Sequence, residues 1–165
     1  MRLETKNANS QGKGMVAMKD LIRASLRMRP DRIIVGEVRG EEAVDMITAL
    51  NTGHDGGMST IHANSAYGVF GRLETMFLSS VSFPADAVRG QIASGIDIVI
   101  HLSRMKDGSR RVVEISELLG FEGEKPVLNR LFYFRPGSGA GGILEATGNR
   151  LVNREKLEMR GFDKA

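Results

Sequence analysis

No cysteine occurs among the 165 residues. This excludes disulfides and thiolate metal sites and agrees with a reducing compartment. No apolar run approaches the roughly 18 residues of a membrane span. The opening stretch MRLETKNANSQGKG is polar and lacks the apolar core of a signal peptide. A soluble, cytoplasmic protein is the expectation. Aromatics are few, seven Phe and two Tyr, and no nucleic-acid-binding motif is present, so no nucleic-acid partner is expected. There is also no G-x-x-x-x-G-K-[ST] string. The nearest, Gly12-Lys13-Gly14, has Asn7 where the first glycine belongs and Gly14 where a hydroxyl is required. That string is a loop, not a cradle for phosphates.

What is present is ordinary for a globular domain: 41% hydrophobic and 26% charged residues, in a length that supports one substantial core. The net charge of +3 is uneven, with +5 over residues 1–40 and −2 over the rest. Much of the excess comes from Arg23, Arg27, Arg29, Arg32 and Arg39. Such a run reads either as a solvated helix face or as a surface for an anionic ligand or an acidic neighbouring subunit.

Along the chain, residues 1–14 read as loop. Val16 to Met28 approximates a helical stripe that Pro30 ends. Ile33-Ile34-Val35 has no polar alternation and reads as a strand buried on both faces. Residues 41–52 form a helix opened by Glu41 and Glu42 and stopped by Gly53. Met58 to His62 reads as a second strand. Ser65 then caps a helix carrying Val69, Phe70, Leu73, Met76 and Phe77, and Pro84 opens another through Val88 and Ile92. Ile96–Leu102 is an apolar strand, joined by an Asp-Gly-Ser turn at 107–109 to a hairpin strand over Arg111–Leu118. A last strand, Leu131–Phe134, precedes a Gly-rich loop at 135–148 and a short polar helix. The order is that of an α/β protein with a mostly parallel sheet and antiparallel C-terminal hairpins.

Two segments carry chemistry. In Arg32–Gly40 (RIIVGEVRG), Glu37 follows the buried strand directly, so its carboxylate emerges at the carboxyl edge of the sheet, where α/β ligands bind. A carboxylate there orders a water for attack on a phosphoryl group; the alternative is a Glu that merely opens the following loop or helix. Arg39, two residues on, faces the same rim. In Gly53–Ser65 (GHDGGMSTIHANS), Thr60 and His62 are two apart and project from one strand face. His62, at the strand end, is placed to donate to a terminal phosphate or is an ordinary surface histidine. His54, His62 and His101 show no metal-ligand spacing, and no metal site is expected.

Together these segments resemble the secretion ATPases of type II, type IV and pilus machines. LRMRPDRIIVGEVRG and NTGHDGGMSTIHANS look most like the CpaF-type branch, which drives Flp/Tad pilus assembly. RLETM at 72–76, QIASGIDIVIHLSR at 91–104 and DGSRRVVEISELLG at 107–120 match the same branch. The resemblance weakens after about residue 135. It implies a partial RecA-like P-loop NTPase domain: the C-terminal part of one domain over 1–165, with loop 1–14, core 15–104 and C-terminal hairpins, Gly-rich loop and short helix 105–165. Glu37 matches the catalytic carboxylate of the Walker B segment, in which Gly36 replaces the usual acidic residue. His62 matches the histidine-box residue near the γ-phosphate, with His54 its companion. Arg27 and Arg39 fall at arginines typical of the family, and with His54 and Thr60 they are the nucleotide-binding or inter-subunit candidates. The intact family protein implies ATP and magnesium, a homo-oligomeric ring, a hexamer by expectation, and inner-membrane secretion or pilus platform proteins as partners. Its place would be cytoplasmic, peripheral at the inner-membrane face.

The strand bearing the phosphate loop, and the acidic box that comes before this segment in the family, are both expected to be missing, with Met1 falling inside the domain. The chain alone is therefore expected neither to bind ATP tightly nor to hydrolyse it. The alternative is a non-catalytic interaction module that docks onto full-length subunits. Without the phosphate-loop strand, unpaired apolar edges predict marginal stability, or a rearranged sheet in which Ile96–Leu102 pairs with Met58–His62.

Overall fold

The computed structural model describes residues 1–137 and 141–162, which form two compact units. The first comprises residues 1–63 and 71–95, and the second residues 64–70 and those from 96 onward.

In the first unit, α1 (Met18–Leu26) opens where Asp20 Oδ2 accepts the Ala17 N–H at 3.0 Å, satisfying one orphan donor of the first turn. It ends earlier than its apolar stripe suggests. Pro30 bars Arg29 from right-handed helical geometry, and Arg29 takes a φ of 51°. Next come β1 (Ile34–Val35), α2 (Glu42–Leu50) and β2 (Met58–Ser59). β1 and β2 pair in parallel, Ile34 opposite Met58 and Val35 opposite Ser59. The ladder continues beyond both strands, with Met58 N–H donating to the Ile33 carbonyl at 3.0 Å and Val38 N–H to the Thr60 carbonyl at 2.9 Å. Ser65 Oγ accepts the Gly68 N–H at 2.9 Å and so caps α3 (Gly68–Ser80), a helix whose first three residues belong to the second unit. α4 (Ala85–Gly95) starts right after Pro84 and is tied to the end of α2 by the Asn51 amide, which donates to the Gln91 carbonyl at 2.9 Å. The core gathers Ile22, Val35, Val38, Ala43, Ile47, Leu73, Phe77, Val88 and Ile92.

β1 is not buried on both faces. Ile33 and Val35 point inward, whereas Ile34 is 68% exposed beside its 53% exposed ladder partner Met58. The parallel sheet is two strands wide, and among the described residues nothing covers its outer face.

In the second unit, β3 (Ile98–Arg104), β4 (Arg110–Glu122), β5 (Lys125–Pro136) and β6 (Gly142–Ala146) form a four-stranded antiparallel sheet in sequence order. The architecture is thus mixed α/β with a parallel and an antiparallel part, and the antiparallel part is the larger. β3 pairs with β4, and no ladder joins it to β2 among the described residues, so the rearranged sheet does not form. The β3–β4 turn is the expected one: Asp107 Oδ1 accepts from the Ser109 N–H and Oγ at 2.9 and 2.6 Å. The hairpin strands run well past Arg111–Leu118 and Leu131–Phe134. Gly123, at a φ of 59°, turns β4 directly into β5. The Gly-rich loop shrinks accordingly, because β5 and β6 occupy half of 135–148; residues 138–140 of that reading lie outside the described residues. Phe70 and Phe121 meet edge to face at 6.0 Å, and Leu118 and Leu131 are buried. α5 (Glu155–Glu158) is the short C-terminal helix.

Candidate functional site

The candidate residues come from the carboxyl ends of β1 and β2. The parallel ladder aligns these ends side by side, so residues just beyond them are neighbours although 25 positions separate them in sequence. Glu37 Oε1 lies 3.0 Å from Nε2 of His62, and Glu37 Oε2 lies 3.8 Å from Nη1 of Arg39. The Glu37 side chain is 35% exposed, while His62 and Arg39 are 88% and 78% exposed. A partly sheltered carboxylate therefore sits between two side chains that reach into solvent. At such exposure the pairing contributes little to stability. Its interest is chemical: an acceptor and two nitrogen-bearing donors share one rim.

Two further contacts hold this rim in place. Thr60 is exposed like His62, and its hydroxyl also has a backbone partner. Its Oγ1 donates to the Gly36 carbonyl at 2.6 Å, tying the residue before Glu37 to the strand that leads to His62. Glu42, expected only to open its helix, also belongs to the rim. Its Oε1 accepts the N–H groups of Arg39 at 2.8 Å and Gly40 at 3.2 Å, fixing the loop between Glu37 and α2. The signal was available, since an acidic residue in the first turn of a helix commonly captures preceding N–H groups.

The remaining candidates lie apart from this cluster. No hydrogen bond or ion pair among the described residues joins His54 or Arg27 to Glu37 or His62. His54 shapes its own loop, its carbonyl accepting the Gly57 N–H at 3.3 Å, and its Nδ1 is buried without a partner among the described residues. Arg27 is exposed at the end of α1, its N–H donating to the Ala24 carbonyl at 3.1 Å.

Magnesium takes about six oxygen ligands in near-octahedral geometry. Here each Glu37 oxygen faces a nitrogen of His62 or Arg39. Among the described residues no three His, Asp or Glu side chains converge as a metal cluster. These residues do not by themselves fit a magnesium ion. Likewise, no helix among the described residues is long and apolar enough to cross a membrane.

Comparison with known proteins bears on this geometry. The model of the type II/IV secretion system protein family matches residues 2–136. A Mycobacterium tuberculosis protein named "Putative conjugal transfer protein" is 43% identical over 123 residues, covering 74% of this chain and 35% of that one. The type IV secretion system protein PtlH of Bordetella pertussis is 41% identical over 105 residues, covering 61% and 31%. Among solved structures, the VirB11 ATPase from the Brucella suis type IV secretion system, in complex with sulphate, aligns with a TM-score of 0.58. Its identity is 34%, covering 62% of this chain and 32% of that one. The chain spans about a third of the length of the curated relatives it matches.

Proposed function

Since this chain belongs to the type II/IV secretion system protein family, we propose that it forms the water-activating rim of an ATP-hydrolysing secretion motor. The observation that carries the reading is the 3.0 Å approach of Glu37 to His62 at the carboxyl ends of two parallel strands. Phosphoryl transfer asks little covalent chemistry of a protein and much positioning. Glu37 supplies the carboxylate that orders and polarises the attacking water. His62 and Arg39 supply exposed N–H donors for the oxygens of the terminal phosphate, on which charge develops. Thr60 and Glu42 act through the backbone: they hold Gly36, Arg39 and Gly40, and so fix where Glu37 points. Gripping the rest of the triphosphate, and its magnesium, is left to a G-x-x-x-x-G-K-[ST] loop that the 165 residues do not contain.

On the segments that carry the resemblance, the finer reading is a CpaF-type motor. In it, subunits of the intact protein form a ring, a hexamer in our reading, against inner-membrane platform proteins, and hydrolysis drives pilus assembly or secretion. The names of the relatives, conjugal transfer and type IV secretion, support the wider class of cargo-moving machines.

The test is reconstitution. Mixing the chain with a polypeptide that carries the family's phosphate-loop segment is expected to yield ATP turnover. Glu37→Gln is expected to abolish that turnover while nucleotide binding persists. Full turnover by the Gln variant overturns the assignment of Glu37. Micromolar Mg-ATP affinity of the chain alone, measured by isothermal titration, overturns the division of labour between the two segments.

A further inference from the structure

The antiparallel sheet holds a buried carboxylate that the motor reading does not use. Glu117, on β4, is 1% exposed, and no Lys or Arg among the described residues pairs with it. Its ligands are N–H groups. Oε1 accepts the Asn153 N–H at 2.7 Å, and Oε2 accepts the Val152 N–H and the Asn129 side-chain amide, each at 2.9 Å. The Asn129 amide also donates to the Arg150 carbonyl at 2.8 Å, and that of Asn149 to the Arg130 carbonyl at 2.9 Å. Further on, Lys156 Nζ reaches both oxygens of Asp97 at 2.8 and 2.9 Å.

The segment after β6 is therefore fastened by side chains and not by a strand ladder. All four strands of the sheet pair among themselves through Ala146, and among the described residues no ladder reaches 149–158. A carboxylate is costly to bury without a cation, and it is tolerated here because three donors converge on it. A neutral group in its place cannot accept from all three.

We propose that Glu117 is a latch: its charge fastens residues 149–158 to the antiparallel sheet, and loss of that charge frees the segment while the four strands stay paired. Burial alone would push the Glu117 pKa up. The N–H groups of Asn153 and Val152 and the Asn129 amide outweigh this, holding it below the ordinary glutamate value of 4.5. A lowered carboxylate pKa means the tether is complete above the ordinary value and is lost as pH falls through the lowered one. The charged groups around it are already engaged: Glu114 with Arg130 at 3.4 Å, Asp97 with Lys156, and Arg154 with Glu158 at 3.6 Å. Arg150 contributes its carbonyl.

Amide hydrogen exchange on the full chain tests this. In Glu117→Gln at neutral pH, exchange at Val152 and Asn153 is expected to rise at least about tenfold, with the β4–β5 ladder amides changed less than about twofold. Trypsin should cut after Arg150 and Arg154 faster than in the parent. In the parent itself, the same rise should follow acidification below the ordinary glutamate range, after correction for intrinsic exchange. Asp97→Asn, which removes the neighbouring pair, should leave Val152 and Asn153 protected. The latch is refuted if those two amides stay protected in the Gln variant. It is equally refuted if they open in the parent only together with the β4–β5 amides, a measurement that stands even where the variant fails to fold.

Discussion

Two glycines flank the strands whose ends bring Glu37 to His62, and the structure treats them in opposite ways. A methyl group placed on Gly57 would overlap a Leu50 methyl and lie 3.2 Å from the Ile33 carbonyl oxygen and 3.4 Å from that of His54. The Ile33 carbonyl is the acceptor that starts the parallel pairing, taking the Met58 N–H at 3.0 Å. Leu50 can swing aside, but the backbone oxygen has nowhere to go without stretching that bond. Overpacking of this kind costs about 1–3 kcal/mol. In a chain of this length each kcal/mol lowers Tm by about 2–4 °C, so Gly57→Ala should melt about 2–12 °C below the parent. A methyl group on Gly36 meets nothing within 4 Å, and Gly36 is not among the positive-φ residues. Gly36→Ala should therefore be neutral, or stabilise by up to about 1 kcal/mol by restricting the unfolded chain. Thermal melts followed by far-UV circular dichroism compare the two directly. Equal Tm values, or a greater loss in Gly36→Ala, would refute the packing argument.

Glu42→Ala should cost about 1 kcal/mol by orphaning the Arg39 and Gly40 N–H groups, and in the reconstituted motor it should lower turnover more than nucleotide affinity. Thr60→Val, losing the 2.6 Å bond to the Gly36 carbonyl, should cost about 0.5–1.5 kcal/mol in urea denaturation. Arg89 pairs with Glu74 at 2.7 Å, where the two side chains are only 11% and 18% exposed, and with Asp86, which is 92% exposed. Glu74→Gln should thus destabilise by about 1–3 kcal/mol, whereas Asp86→Ala should stay within about 0.5 kcal/mol; the same melts separate them.

The local signals were legible because they act over a few residues. Ser65 caps its helix and Pro84 opens the next, and the Asp107–Ser109 turn closes the hairpin, as each residue type dictates. Strand lengths were not legible. β4 and β5 extend through irregularities near Ile115 and Leu118, where Gly120 takes a φ of 138°, and these breaks obscure the period-two pattern from which strands are read. Ile34 misled for a related reason. Its apolar character states what the side chain prefers, not whether anything in the chain arrives to cover it.

From the residues alone came the order of elements, the caps and turns, and the two segments around Glu37 and His62, since each depends on side-chain type and short spacing. Tertiary structure alone decided that these segments meet, through a parallel pairing that joins residues 24 apart. It also turned Thr60 and Glu42 to backbone partners and made Glu117 an anchor for residues more than thirty positions away. Contacts across such separations depend on which strand lies beside which, and no local pattern of side chains encodes that register.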